Sequence, residues 1–515
     1  MPVDTVRTEV SKRQKRWERI DDLLNNDVKN TEVRTRYLPK PNPSDDSDDN
    51  NDRYDQYVNR SVLYNFVKRT LEGLRGTVME KPAEMNIPDS MEYILEDVDG
   101  NGLSLEQQTR QVLGGVLSKG RYGLLASYPD NTAAMNDDGF ISKEMVDKLG
   151  IRAYCSTYHP LDIINWQMDR IGATVLTTLI VLREEYNSSE DEFAVDIQNQ
   201  YRVLRLGYPS EEIQTLAGQV VPEDTMVYYQ YVHRDSRMTE ATIPLKGSGE
   251  FFDEIPFRFV GSEDNSPSMD DIPLEDLTEV NFGHYRNSAD FEEACFLLGQ
   301  PQVTAVGMTE HWIKEVWGGK MYFGSRAIVT GPEGANFGLL QVSPNTMAME
   351  GMKYKEEVMI RLGAQLVTAD SSKRTATEAL MDNRSDNSVL SSIADNVSQA
   401  YEDILEFMAE FNGDDPSGIT YILNQNYGAR DATPEQINAW LGALAQNAMS
   451  LTTFLKNMKS GNQLPEDTTV EDEEKAIKER LTNDLNITDG LDDDNTRKGG
   501  EGNSGTGEDG GETGS

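Results

Sequence analysis

PLEDLTEVNFGHYRNSADFEEACFLLGQ, residues 273–300, is where the texture of the chain changes. Upstream, apolar residues come in strand-like runs. From Pro273 onward Leu277, Val280, His284, Phe291, Cys295 and Leu298 recur on a broken helical stripe. The spacing predicts one long helix, spanning roughly 42 Å at about 1.5 Å per residue. Val303 to Val342 reads as a compact unit of short strands and one helix, ending in Phe337–Val342. A second long helix is expected from Thr346 to Val367, with Met352, Met359, Leu362 and Leu366 on one face. The polar segment Ala369–Asn387 separates it from a third. Ser388 to Phe411 has the cleanest period in the chain, with Leu390, Ile393, Val397, Tyr401, Ile404, Met408 and Phe411 in register. Asn412-Gly413 stops that helix. A strand is expected at Ile419–Leu423. Thr433-Pro434-Glu435-Gln436 then opens a helix with proline in its first turn and a capping box, and one more helix ends at Ser460-Gly461.

Working back from Pro273, residues 151–260 are mostly strands. Ala173–Arg183, Tyr201–Leu206, Met226–His233 and Pro256–Val260 are rich in Val, Ile, Tyr and Thr and are divided by polar turns, which predicts a mainly antiparallel sheet. A helix is expected from Tyr57 to Val78 on Val62, Phe66, Val67, Leu71 and Leu74. Gly100 and Gly102 mark a turn before a helix capped by Ser104 and Gln107 and ended by Gly120. Tyr122–Tyr128 then reads as a strand. Near the start, Trp17, Ile20, Leu23 and Leu24 share one helical face, away from most of Lys12, Arg13, Lys15, Arg16 and Arg19. That is an amphipathic arm laid on the body; a basic face for phosphate, membrane or an acidic partner is the competing reading. No apolar stretch follows these cations, so a secretory signal is not expected. Residues 41–53 read as a polar linker. Residues 485–515, with nine Gly and Asp492–Asp494, bury too little apolar surface to offset ordering entropy and read as a disordered acidic tail.

The 515 residues suffice for several domains, and 41 aromatic residues suffice for a core. Lys plus Arg is 48 against 89 Asp plus Glu, a net charge of −41. Surfaces that grip nucleic acid are basic, so this balance argues against a body that binds it. Two cysteines, Cys155 and Cys295, make no disulfide framework and suit a reducing compartment. The longest clean apolar run, Ala173 to Leu182, is half of what a membrane-spanning helix needs.

Chemistry-bearing motifs are few. DVDGNGLSLEQQ (97–108) puts Asp97, Asp99, Asn101 and Gly102 at calcium-loop positions, but Gln108 stands where bidentate coordination requires Glu. A glycine turn feeding the capped helix accounts for the same residues. His159, His233, His284 and His311 are scattered, and neither a nucleophile elbow nor a phosphate-cradling loop is present, so no metal, cofactor or catalytic residue is expected. An acidic hydrolase with unmarked carboxylates is the enzyme alternative, since such pairs have no sequence spacing. Trp312 and Trp317, five apart, either pack in a core or expose one ring to a partner. Lys373, Arg374 and Arg384 are the cations of the polar segment between the second and third long helices.

The order of parts resembles the portal proteins of tailed double-stranded DNA bacteriophages. The wording of YVNRSVLYNFVKRTLEGLRGTVMEKP (57–82), LEDVDGNGLSLEQQTRQVLGGVLSKGRYGLLASYP (95–129), YHPLDIINW (158–166), residues 273–299 and TPEQINAWLGALAQNAMSLTTFLKNMKSGNQLPED (433–467) is similar to one portal branch long catalogued as phage proteins of unknown function. The resemblance spans about residues 55–470. It implies an α+β portal fold with a sheet-containing wing, a long-helix stem, a small α/β clip and a short helical crown. The implied parts are an N-terminal arm and acidic linker (1–54), wing (55–272), stem helix (273–300), clip (301–345), second stem helix (346–368) and tunnel loop (369–387). A helix and strand under the crown (388–432), crown helices (433–465) and an acidic tail (466–515) complete it.

The same resemblance implies function. Portals form a ring of about twelve subunits at one capsid vertex, assembled in the host cytoplasm. The ring conducts duplex DNA without reading its sequence during packaging and ejection. Expected partners are the terminase large subunit, major capsid and scaffolding proteins, and then a head-completion or tail adaptor, with no membrane. Lys373, Arg374 and Arg384 become tunnel-loop residues facing DNA, and Trp312 and Trp317 become partner-binding residues of the clip. Another head–tail connector or minor head protein is the nearer alternative. Composition agrees independently. A tunnel of about 42 Å encloses on the order of 25 phosphates. Basic walls would trap that duplex, whereas acidic walls let it slide.

Overall fold

The computed structural model describes residues 2–129, 150–189, 191–235, 237–299, 302–320, 330–340, 346–367, 388–425, 427, 434–446, 448–460, 469–470 and 473–478. They form a mixed helix-and-sheet protein in two compact units, residues 1–427 and 428–515. The expected tunnel loop, with Lys373, Arg374 and Arg384, and residues 485–515, the expected disordered stretch, lie outside the described residues, while 473–478 of the expected acidic tail are helical.

The chain opens with α1 (Thr8–Leu24), whose Val10, Trp17, Ile20 and Leu23 are buried. The arm is laid on the body as its periodicity predicts. Trp17 donates its indole N–H to the Lys119 carbonyl at 2.9 Å, and Lys119 pairs with Asp21. A short turn, α2 (Arg34–Tyr37), precedes α3 (Asp48–Arg60). Here two readings need correction. The polar run 41–53 is not all linker, because Ser47 accepts a hydrogen bond from Asn50 N and caps α3, which buries Tyr54, Tyr57 and Val58. Nor is Tyr57–Val78 one helix. It breaks after Arg60 and restarts as α4 (Phe66–Val78), with Asn65 as cap and Val62 exposed. The break is held from outside: Asn281 Oδ1 accepts from Phe66 N and Val67 N at 3.0 and 3.2 Å, and its amide donates to the Tyr64 carbonyl at 2.8 Å.

After β1 (Glu84–Asn86), α5 (Leu105–Lys119) carries the expected capping box of Ser104 and Gln107. Strand β2 (Arg121–Ser127) follows and is buried along its whole length. A side chain at Gly123 would meet the Phe257 ring at 2.6 Å and Ile163 Cδ1 at 2.7 Å, so only glycine permits that approach. The strand region then resolves into two antiparallel sheets rather than one. A three-stranded sheet runs β3 (Tyr154–Tyr158), β2, β9 (Phe257–Gly261). A five-stranded meander runs β4 (Ile163–Ile171), β5 (Thr174–Asn187), β6 (Ile197–Gly207), β7 (Val227–Arg234), β8 (Arg237–Thr242). The helix α6 (Glu211–Ala217) sits in the β6–β7 connection. Strands β3, β4 and β8 were not legible as such, because short or bulged segments lose the period-two signal; β4 slips register at Ile163/Asn165 and Gln167/Met168.

The three long helices follow as read: α7 (Glu275–Leu298), α8 (Met347–Val367) and α9 (Val389–Asn412). Between α7 and α8 lies an insert with a two-stranded antiparallel sheet, β10 (Gln302–Val306) and β11 (Asn336–Leu340), and a π-helical turn at Trp312–Val316. Helix α9 is the axis of the core. All seven residues of its predicted stripe are buried, and it packs on β2, β9, α5 and β12 (Thr420–Ile422). Each such large apolar side chain contributes about 1.5–3 kcal/mol by leaving water. In the second unit, α10 (Pro434–Ala445) and α11 (Leu451–Ser460) form a small helical pair, with Leu455 buried and Thr452 bonded to Glu474 at 3.1 Å.

Candidate interaction surface on the helical hairpin

Helices α7 and α8 run antiparallel, and their register is set by polar pairs. His284 Nε2 lies 3.1 Å from Glu356 Oε1, Lys355 bonds Asn287, and Gly351 approaches the Asn287 side chain. His284 is fully buried, with the edges of Tyr64 and Phe66 against its ring. Burial disfavours the cation and holds its pKa below the ordinary value, although Glu356 works in the opposite direction. The half of the hairpin nearest the body is clad by the N-terminal region. Phe282 stacks on Tyr37 at 4.5 Å, the Tyr285 hydroxyl lies 2.9 Å from Ser61 Oγ, Ser288 donates to the Val62 carbonyl and Tyr57 to Asp290 at 2.6 Å.

The far half is less covered. Phe296, with the Arg60 guanidinium 4.2 Å over its ring, and Leu297 are exposed on α7, as is Met347 (75%) on α8; Tyr354 (67%) is exposed at mid-hairpin and Ile360 (65%) nearer the body. In the insert Val306, Ile313 and Val316 are exposed, and the π turn buries none of its residues. Trp312 and Trp317 are both half-buried. Trp317 Nε1 donates to the Thr330 carbonyl at 3.1 Å and its ring lies 6.0 Å from Phe337. Neither indole is in a closed core. Exposed apolar side chains thus occur on both rods and on the insert at their end. The α7 stripe runs from buried Leu277 to exposed Cys295, so its apolar signal in sequence did not mean core throughout.

Charge is sorted among the rods. Helix α7 carries six carboxylates (Glu275, Asp276, Glu279, Asp290, Glu292, Glu293) and one cation, Arg286, while α9 carries five carboxylates and no cation. Helix α8 balances Glu350, Glu356 and Glu357 with Lys353, Lys355 and Arg361. On α9, burial and then the neighbouring Asp403, Glu402 and Glu410 push the Glu406 carboxyl up. Like charges are therefore close enough to oppose one another.

The DVDGNG loop is built as a turn. Asp97 Oδ1 accepts from Gly102 N at 2.8 Å, Asp99 Oδ1 accepts from Asn101 N and Leu103 N at 2.9 and 3.2 Å, and Asp97 also pairs with Arg152. The bond from Gly102 N first, and then Arg152, hold the Asp97 carboxyl below the usual range against the opposing effect of burial. Among the described residues no group of three or more His, Cys, Asp or Glu is placed to hold a metal ion, and no helix is long and apolar enough to cross a membrane.

Comparison with known proteins touches this hairpin directly. A family described as "Domain of unknown function (DUF4055)" matches residues 273–412, which are α7, the insert, α8 and α9. No curated protein matches the sequence. Among solved structures, the chain is similar to a chain in the virion of a native gene transfer agent particle, at 11% identity over 77% of this chain and 90% of that one, with a TM-score of 0.37. It is also similar to chains from the neck of the native particle computed with C12 symmetry (12% identity, 75% and 86% covered, TM-score 0.37) and from the neck of the empty particle computed with C6 symmetry (12%, 75% and 86%, TM-score 0.36). Identities and scores this low carry no argument about function.

Proposed function

We propose that the chain is a portal subunit: a structural protein that closes into a ring of about twelve at one vertex of a phage-like capsid and lets duplex DNA pass. The observation that supports this best is the hairpin of α7 and α8. Two long antiparallel helices stand on a sheet-bearing body, hold a small insert at their far end and leave apolar residues uncovered there. A lone chain pays for such exposure in solubility, and copies packed side by side remove it. In this reading α7 and α8 are the stem, the insert is the clip, α9 is the crown-base helix, α10 and α11 are the crown helices, and residues 55–272 are the wing.

The charge pattern supports conduction over binding. A net charge of −41 per chain, repeated around a ring, surrounds duplex phosphates with like charge, even though four of the six α7 carboxylates (Glu275, Glu279, Asp290 and Glu293) are engaged by Arg16, Arg19, Tyr57 and Arg60. Nothing in that arrangement requires a catalytic centre, metal or cofactor. Lys373, Arg374 and Arg384 supply weak, repeated phosphate contacts as the tunnel loop. Trp312 and Trp317, on the exposed insert, serve the packaging motor first and a head-completion or tail adaptor afterwards. Assembly takes place in the host cytoplasm beside capsid and scaffolding proteins. A head–tail adaptor would also form rings, but a long-helix hairpin bearing an insert suits the portal better.

The test is in assembled particles. Lys373→Ala with Arg374→Ala is expected to leave rings intact and reduce nuclease-protected genome per particle. Unchanged genome content would contradict the tunnel-loop role. Imaging of particles carrying a tag in the insert should place one ring at a single vertex, tag outward; a tag found at the tail tip or on every vertex would contradict the portal reading.

A further inference from the structure

Two unsatisfied features lie elsewhere on the molecule. The first is the tip of the β5–β6 hairpin. Its strands stay paired to Asn187↔Ile197, and beyond them the turn is ordered by its own polar atoms. Asn187 Oδ1 accepts from Ser189 N and Asp196 N, Ser189 Oγ accepts from Asp191 N and Asp191 Oδ1 accepts from Phe193 N, all at 3.0–3.1 Å. This turn holds Phe193 in water at 87% exposure and Val195 at 76%, beside Asp191, Glu192 and Asp196. An aromatic ring fixed in solvent on an acidic loop is costly to leave uncovered and pre-organised to bind.

The second is a groove of about 320 Å³ between the α2–α3 region and α7. Leu38, Pro39, Pro41 and Tyr57 give it apolar walls. Its carboxylates are engaged, Asp290 by the Tyr57 hydroxyl and Glu293 by Arg60. Its cations are not: Arg53 and Arg286 are exposed and have no hydrogen-bond or ion-pair partner among the described residues. Most described arginines of this acidic chain are paired, and Arg53 and Arg286 are among the minority that are not. A cavity of about 150 Å³ already holds a benzene ring, so the groove has room for a phenyl group and a carboxylate beside it.

We propose that the β5–β6 tip of one copy docks in the α3–α7 groove of the next, with Phe193 in the groove and Asp191 and Glu192 against Arg53 and Arg286. The chemistry of each surface is what the other lacks: an aromatic ring with acids on one side, apolar walls with free cations on the other. Both occur once per chain, so a head-to-tail contact satisfies every copy but leaves two ends open until a ring closes. This contact rests on the ring reading above and deepens it, adding a link between wing and stem base apart from the stem's own apolar face.

The test uses the full chain and two readouts. With Cys295→Ser as background, Val195→Cys combined with Pro39→Cys should give a ladder of covalently linked copies on mild oxidation, absent from either single cysteine. Arg53→Glu with Arg286→Glu should raise the concentration needed for rings roughly tenfold or more, and Glu192→Lys, which leaves the Asp191 Oδ1 acceptor of the turn in place, should lower it again when combined with them. Thermal melting of the dilute chain should not change, since all these positions are exposed. Rings that assemble from the charge-reversed chain at the wild-type concentration would overturn the contact and leave the ring reading standing. A wild-type chain that never forms rings would overturn both.

Discussion

Helix α9 and the α7–α8 hairpin both carry large apolar residues, with opposite fates. On α9 each stripe residue from Leu390 to Phe411 is buried within one chain. On the hairpin Phe296, Leu297, Tyr354 and Ile360 stand in water. Periodicity tells which residues seek a neighbour, and it does not tell whether that neighbour belongs to the same chain. The difference separates a part whose apolar residues are satisfied within the chain from a part whose apolar residues the chain leaves exposed, which the portal proposal assigns to neighbouring copies.

Substitutions can break or sharpen that division. The largest effect is expected in the core: Ile393→Ala should cost about 2–5 kcal/mol in equilibrium unfolding, through lost burial and the cavity left behind. Asn281→Ala comes next, at about 1–3 kcal/mol, because Phe66 N, Val67 N and the Tyr64 carbonyl would lose their partner inside the protein. Tyr354→Ser and Ile360→Ser should change the unfolding free energy of the dilute chain by no more than about 0.5 kcal/mol, yet weaken assembly measured by sedimentation. A large loss of single-chain stability from either would mean that the hairpin face is core after all.

The smallest effect near neutrality is titration. Burial, aided by Lys119 and Arg183, lowers the pKa of His159 from 6.5 to about 3. A depressed histidine favours the unfolded chain in acid. Its contribution to stability is whole above pH 6.5 and declines as pH falls toward 3. His159→Gln should lose this fall, so that the wild-type-minus-variant difference in melting temperature shrinks as pH drops from 6.5 toward 3; parallel curves would contradict it.

Long, regular elements were legible in the sequence. The three helices around residues 273–412, the Ser104–Gln107 capping box and the strands β5, β6, β7 and β9 all appeared where residue spacing placed them. What was hidden depended on distant partners. The break between α3 and α4 is made by Asn281, more than 200 residues away. Ser47 as a helix cap was masked by the aspartates around it, which read as linker. Of the expected site residues, Trp312 and Trp317 lie half-buried on the exposed insert, while the three loop cations fall outside the described residues. Phe193, Arg53 and Arg286 had no sequence signal, because freedom from partners is a property of the folded surface.

The central claim is that the exposed hairpin is covered by identical neighbours. Mass photometry of the purified full chain, with class-averaged images of the same sample, tests it most directly. The account predicts a closed ring with a mass near twelve times 57.7 kDa; a single species that stays at 57.7 kDa as concentration rises would contradict it.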